Sequence, residues 1–265
     1  MLDGIKNWFA SFNHEKIIRD TFSVCRWFNI RLTTAFGITT TVHWSVVAFA
    51  LASLFLGGPM YCGIMLLVFL CVVPHEYGHA LAARMFGIKT SSIVLYPLGG
   101  VALLEPNPEV QMIKMKEFVV AIAGPIVTLG LSMMGLGAML LGSLFEEDFQ
   151  AALMNYRGGF WFYMFAINMS LFIFNMIPAF PMDGGRVLRS ILSCFMNHAL
   201  STKIAFYVSI GFCILFALGG LLTGNFMLLV IALFIYMVGK QEVQHAQLMG
   251  QMQAEIAPAK KIEKS

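Results

Sequence analysis

His75, Glu76 and His79 stand together in the run His75-Glu76-Tyr77-Gly78-His79, the pattern HExxH. On a helix, residues four apart share a face, so both imidazoles can reach one Zn2+ ion. Glu76 can take a proton from a water activated by the metal without being a ligand itself. The plainer alternative is a polar patch packed between helices. Context weakens it, because the run falls late in an otherwise apolar stretch, where ionisable side chains are costly and usually functional.

Two histidines leave zinc short of a ligand, since a catalytic site commonly takes three protein ligands and a water. Asp183 is the best candidate for the third, in the segment 175–186, NMIPAFPMDGGR. Its prolines remove backbone donors and end regular helix, and Gly184-Gly185 allows a tight turn. Irregular backbone at such depth should line a cavity or be buried in protein. The alternative for Asp183 is an N-cap of a helix from about 185. Asn175, on the same apolar stretch as Asn168, can donate a hydrogen bond to a tetrahedral oxyanion; an interhelical packing bond is its alternative. His43, beside Trp44, reads as a headgroup-level residue, with a fourth ligand or a group behind the ligands as alternatives. His14, His198 and His245 lie in polar segments and read as solvated. Ala123-Gly124-Pro125 reads as a close helix contact with a kink, without chemistry of its own.

The elements that must position these residues belong in a bilayer. The chain has 265 residues, 58% hydrophobic and 12% charged, about half the charged fraction of a soluble domain. Its mean hydropathy is +0.78. The net charge of +3 is small and spread out, which gives no case for nucleic acid. Five scattered cysteines without a CxxC pair make neither a disulfide framework nor a thiolate zinc site.

Six apolar segments emerge, at roughly 42–58, 61–83, 118–144, 159–178, 204–222 and 225–239. Sixteen of the seventeen basic residues fall on one side of such a six-span arrangement, Arg157 being the exception. That side is the cytoplasm by the positive-inside rule, and it holds both termini. The second and fourth segments both run outside to inside, so His75 to His79 and Asp183 meet near the cytoplasmic face. Residues 1–31 show no secretory leader and read as an amphipathic helix on the membrane surface. Residues 36–42 are rich in β-branched types, and 91–104 places Gly99-Gly100 between two apolar runs, a hairpin signal. The expected fold is a membrane all-α bundle of six transmembrane helices with a small membrane-embedded β-sheet. The expected organisation is 1–35 as an interfacial segment, 36–240 as the membrane domain and 241–265 as a polar cytoplasmic tail. Residues 107–117 are expected to form an interfacial turn and short helix.

HEYGHA at 75–80, YPLGGVALLE at 96–105, EFVVAIAGP at 117–125 and NMIPAFPMDGGRVLRS at 175–190 together resemble the site-2 protease family of intramembrane metalloproteases. The resemblance covers about 36–240, in a form without the PDZ and CBS modules of some relatives. It implies one Zn2+ per chain, held by His75, His79 and Asp183, with Glu76 as general base. It implies that Asn175 lies near the substrate carbonyl and that the 93–104 hairpin helps present substrate, through Leu95, Gly99, Gly100 and Val101. It also implies a plasma or inner membrane location. The partner would be the transmembrane segment of a client protein, cut to release a regulator or to clear signal-peptide remnants.

A transmembrane helix hides its scissile carbonyl in intrahelical hydrogen bonds, so a client must unwind locally. An enzyme strand can replace the lost backbone bonds, and the 93–104 hairpin is the candidate edge. Two readings compete. A membrane zinc protease of another kind would take its third ligand from a Glu, and none is well placed. A non-catalytic scaffold or transporter would spread ionisable groups through several spans, whereas here they gather at one level.

Overall fold

The computed structural model describes residues 30–97, 99–104, 114–143 and 159–262. It divides into two compact units, one made of Met1–Val73 with Thr90–Glu105 and the other of Pro74–Lys89 with Pro106–Ser265.

The first unit holds a four-stranded sheet in the order β1-β2-β3-β4, with β1 at Ile30–Ala35, β2 at Ile38–Val42, β3 at Thr90–Tyr96 and β4 at Gly99–Leu104. β1 and β2 form an antiparallel hairpin, closed by the pair Ala35 and Ile38. Its two turn residues, Phe36 and Gly37, both have positive φ, at 53° and 71°. That is the twist a two-residue hairpin needs. The strand expected over 36–42 is present as β2, whereas the surface helix expected to reach residue 31 is corrected, since β1 begins at Ile30. IRLTTA and ITTTV are two β-prone runs separated by two residues, which is a hairpin pattern. The remainder of that proposed helix lies outside the described residues.

β2 pairs with β3 in parallel, and β3 with β4 antiparallel. The expected second hairpin is present, but its turn is shifted. Tyr96 pairs with Gly99 and Leu95 with Gly100, so the glycine pair lies inside β4 rather than between the strands. Pro97, which has a fixed φ and no N–H, is the residue that interrupts the ladder. Ile38, Thr40, Ile93, Val94 and Leu95 are buried, so the centre of the sheet is the core of this unit.

A parallel pair requires a crossover, supplied here by helix α1, Trp44–Met85, of 42 residues. It is interrupted at Gly58, whose φ of 82° and ψ of −179° are not helical. Ser53 Oγ lies 3.6 Å from Met65 Sδ, twelve residues on. A straight helix would separate those positions by about 18 Å along its axis. The chain therefore doubles back at Gly58, and the apolar segments expected at 42–58 and 61–83 are the two arms of this helical hairpin.

The second unit contains the end of α1 and five further helices: α2 at Lys114–Ser143, α3 at Phe160–Asn175, α4 at Asp183–Ser193, α5 at His198–Thr223 and α6 at Phe226–Ile262. The turn and helix expected over 107–117 fall mostly outside the described residues, and α2 already begins at Lys114. α2 and α3 are tied by Ser132 Oγ, which donates to the Phe165 carbonyl at 3.2 Å. Asn197 caps α5 by accepting from the Leu200 N–H at 2.8 Å. Gly224, in the left-handed region, ends it. α6 runs on through the polar residues after 240 as one helix of 37 residues.

Among the described residues four helices are long and apolar enough to cross a membrane, namely α1, α2, α5 and α6. α3, of 16 residues, is apolar but shorter. Their outward surfaces carry exposed Leu, Phe, Ile and Met, as lipid-facing helices do.

Candidate metal centre

The centre lies wholly within the second unit. His75 and His79 sit one turn apart near the end of α1, and both are buried. Asp183 is the first residue of α4 and is buried as well. The Asp183 Oδ2 atom lies 3.1 Å from His75 Nε2 and 3.1 Å from His79 Nε2. The two Nε2 atoms are themselves 3.1 Å apart. Three potential ligand atoms thus form a nearly equilateral triangle.

Elementary chemistry says what belongs at this triangle. The Val120 carbonyl oxygen lies 2.7 Å from His79 Nδ1. A carbonyl only accepts, so Nδ1 carries a proton, and in the neutral ring Nε2 then presents its lone pair. That lone pair faces a carboxylate oxygen and a second imidazole nitrogen. With that ring neutral, electron-rich atoms this close need a metal ion or a proton among them. Ligands of a tetrahedral zinc ion, at about 2.0–2.1 Å from the metal, lie about 3.3 Å from one another, close to the spacing found. A nitrogen and oxygen donor set of this kind suits zinc.

A second observation concerns space. A Cβ placed on Gly124, in α2, would collide with His79 Nε2 and come within 2.8 Å of His75 Nε2. A Cβ on Gly78 would stand 2.9 Å from the Ala123 carbonyl oxygen. The HExxH turn and the Ala123-Gly124-Pro125 turn therefore touch through backbone, and Gly124 keeps the space beside both imidazoles clear. The sequence reading of Ala123-Gly124-Pro125 found the close contact but not its relation to the two imidazoles. The Val120 carbonyl was missed altogether, since a backbone acceptor carries no side-chain signal.

Asp183 reaches its place through the loop before it. α3 ends at Asn175, and short bonds from Ala179 N to the Ile177 carbonyl and from Met182 N to the Ala179 carbonyl fold the prolyl segment tightly. The Phe180–Pro181 peptide is cis. The Phe180 N–H donates to Ser209 Oγ of α5 at 2.9 Å. Ala179 and Met182 pack with Ile235 of α6. Cβ atoms on Gly184 would collide with the carbonyl oxygens of Met176 and Ile177, and on Gly185 would lie 2.7 Å from the Ala179 carbonyl carbon. The loop and α4 meet backbone to backbone, which is why two glycines follow Asp183. Met182, not Asp183, is the N-cap, so the capping alternative for Asp183 is not what the structure contains.

Glu76 follows His75 directly on α1, and the ionisable groups around it are His79, His75, Asp183 and Arg186. Asn175 donates through Nδ2 to the Leu171 carbonyl at 2.9 Å, which uses one of its two amide protons. Asn168 is buried and donates to the Met164 carbonyl. In the first unit, His43 Nδ1 lies 2.6 Å from Ser45 Oγ, and its ring lies against Trp44 and Tyr96. Leu95, Gly99, Gly100 and Val101 are in the β3–β4 hairpin of the same unit. His198 and His245 are exposed, and His14 lies outside the described residues.

The family model for peptidase family M50 matches residues 63–218. A zinc metalloprotease of Methanocaldococcus jannaschii is 34% identical over 219 residues, covering 81% of this chain and 60% of that protein. A protein of Synechocystis named as a putative zinc metalloprotease is 35% identical over 209 residues, covering 75% and 52%. The chain thus spans only about half to three fifths of the length of these curated relatives. Among solved structures, a site-2 protease from Methanocaldococcus jannaschii superposes with a TM-score of 0.54 at 31% identity, covering 82% of this chain and 95% of that one.

Proposed function

The chain belongs to peptidase family M50, and from that premise we propose that it is an intramembrane zinc endopeptidase acting on transmembrane segments of client proteins. The observation that carries the reading is the triangle of His75 Nε2, His79 Nε2 and Asp183 Oδ2, each pair 3.1 Å apart. These three residues are the proposed zinc ligands. When bound, zinc polarises the scissile carbonyl and lowers the pKa of a water to about 7.

The chain's own residues supply the rest. Glu76 takes a proton from the attacking water and passes it to the leaving amine. Asn175 gives its second amide proton to the oxygen of the tetrahedral intermediate. Val120 keeps the His79 imidazole oriented, and Gly124 keeps the space beside both imidazoles clear. β4 is an edge strand, with one side of its backbone unpaired within the sheet. A client segment unwound from its helix pairs with that edge, along Gly99, Gly100 and Val101, and recovers its backbone hydrogen bonds there. Leu95 of β3 supports the edge from its inner side through its pairing with Gly100. Clients with Gly, Pro or Asn near the cut need less free energy to unwind.

The proposed topology is six spans, counting the two arms of α1 separately and including α3. Both termini and the metal centre are then on the cytoplasmic side, as the distribution of Lys and Arg supports. Release of a regulator and clearance of signal-peptide remnants are the proposed roles.

The test is co-expression of the chain with a panel of tagged membrane-segment clients, wild type against Glu76→Gln. Client fragments should accumulate with wild type alone. Equal cleavage by both forms removes the mechanism.

A further inference from the structure

Beside the metal centre lies a cluster of charges that the proposed reaction does not use. Arg189, on α4 six residues after Asp183, is buried. Its Nε donates to Glu117 Oε1 of α2 at 2.9 Å, and its Nη2 donates to the same oxygen. Its Nη1 donates to Glu242 Oε2 of α6 at 2.7 Å. Its guanidinium carbon lies 5.1 Å from the centre of the Phe180 ring, in the loop that leads into Asp183. One buried cation therefore joins α2, the prolyl loop, α4 and α6.

Both ends of this arrangement connect to the metal-ligating groups. Glu117 stands three residues before Val120, so the carboxylate and the carbonyl that orients His79 ride on one turn of α2. Arg189 and Asp183 ride on the same helix of 11 residues. The Arg189–Glu117 contact thus fixes the element that orients one imidazole against the element that carries the carboxylate. A guanidinium suits that task because its donors form a rigid planar fork, which an ammonium lacks. Stability alone does not explain such a group, since apolar residues often replace a buried ion pair without loss.

We propose that Arg189 is a positioning residue for the metal centre, holding α4 against α2 and α6 through Glu117 and Glu242 so that Asp183 meets His75 and His79 in one geometry. The inference rests on the reading of that triangle as a zinc site.

The test uses the full chain purified in detergent, as wild type, Arg189→Lys and Glu242→Gln. Three quantities are measured: Zn2+ affinity by competition with a chromophoric chelator, the visible absorption bands of the Co2+-substituted protein, and thermal melting of the metal-free protein. Arg189→Lys should weaken Zn2+ binding by about 10- to 100-fold and shift the Co2+ bands, and Glu242→Gln, which removes a half-exposed arm, by about 3-fold or more. Unchanged affinity and Co2+ bands in both folded variants, with any loss confined to melting temperature, overturn the inference. If Arg189→Lys yields no folded protein, Glu242→Gln decides by the same criteria. A wild-type chain that takes up no Zn2+ overturns the zinc reading and this inference with it. Wild-type binding with unaltered variants overturns the inference alone.

Discussion

His79 Nδ1 lies 2.7 Å from the carbonyl oxygen of Val120, so a backbone group on one helix sets the orientation of an imidazole on another. The Nε2 of His79, a proposed zinc ligand, is then aimed by α2 while its position along the chain is set by α1. The metal centre depends on how three helices meet as well as on the residues they carry.

The first prediction concerns the ligand count. Asp183→Ala should purify with little or no zinc where wild type holds about one ion per chain, because two imidazoles alone leave the ion an incomplete set of protein ligands. Elemental analysis of the purified protein decides it. Full zinc occupancy in the variant would require a third ligand elsewhere.

Glu76→Gln separates binding from chemistry. The carboxamide has nearly the shape of the carboxylate but cannot accept the proton. Zinc content should stay near that of wild type while cleavage falls by about 10²- to 10⁴-fold. A variant that loses zinc along with activity would make Glu76 a ligand or a support for the ligands.

Gly124→Ala probes the space beside the imidazoles. One methyl group there runs into both Nε2 atoms. Zinc affinity should fall by at least about 10-fold, the scale of changes next to a metal site, with cleavage falling alongside. Isothermal competition against a chelator gives the affinity. Normal affinity would mean that α2 shifts to admit the methyl group.

Gly184→Ala addresses the loop instead. The added carbon meets the Met176 and Ile177 carbonyl oxygens, which belong to backbone and cannot swing aside. A loss of about 1–3 kcal/mol in stability follows from overpacking of this kind. Denaturation in mixed micelles should show an earlier midpoint, and an unchanged midpoint would count against the tight loop.

Side-chain patterning made much of this site legible. HExxH is a local signal, because a helix places positions four apart on one face whatever surrounds it. Asp183 could be paired with it across a hundred residues because prolines and glycines in an apolar context mark a segment with few structural options. The resemblance to site-2 proteases agrees with membership of peptidase family M50. Backbone groups and close approaches were harder to see. Val120 contributes a carbonyl that every residue possesses, and Gly124 contributes an absence of atoms. Arg189, Glu117 and Glu242 are separated by 72 and 53 positions, and nothing periodic links them. In the sheet, β-branched composition found β2 but not β1, because Phe36-Gly37 lacks the Asn-Gly or Asp-Gly that advertises a two-residue turn. The Gly99-Gly100 pair drew the second turn two residues too late, since a glycine in a strand looks the same in sequence as a glycine in a turn.

The reversal at Gly58 has a topographic consequence. Most helical hairpins are joined by several residues that can be nicked, lengthened or tagged. Here a single left-handed residue makes the join, and helix resumes directly after it. That end of the hairpin offers a soluble protease no slack chain to draw into its cleft. An epitope inserted after Gly58 should disturb the packing of the two arms rather than hang free.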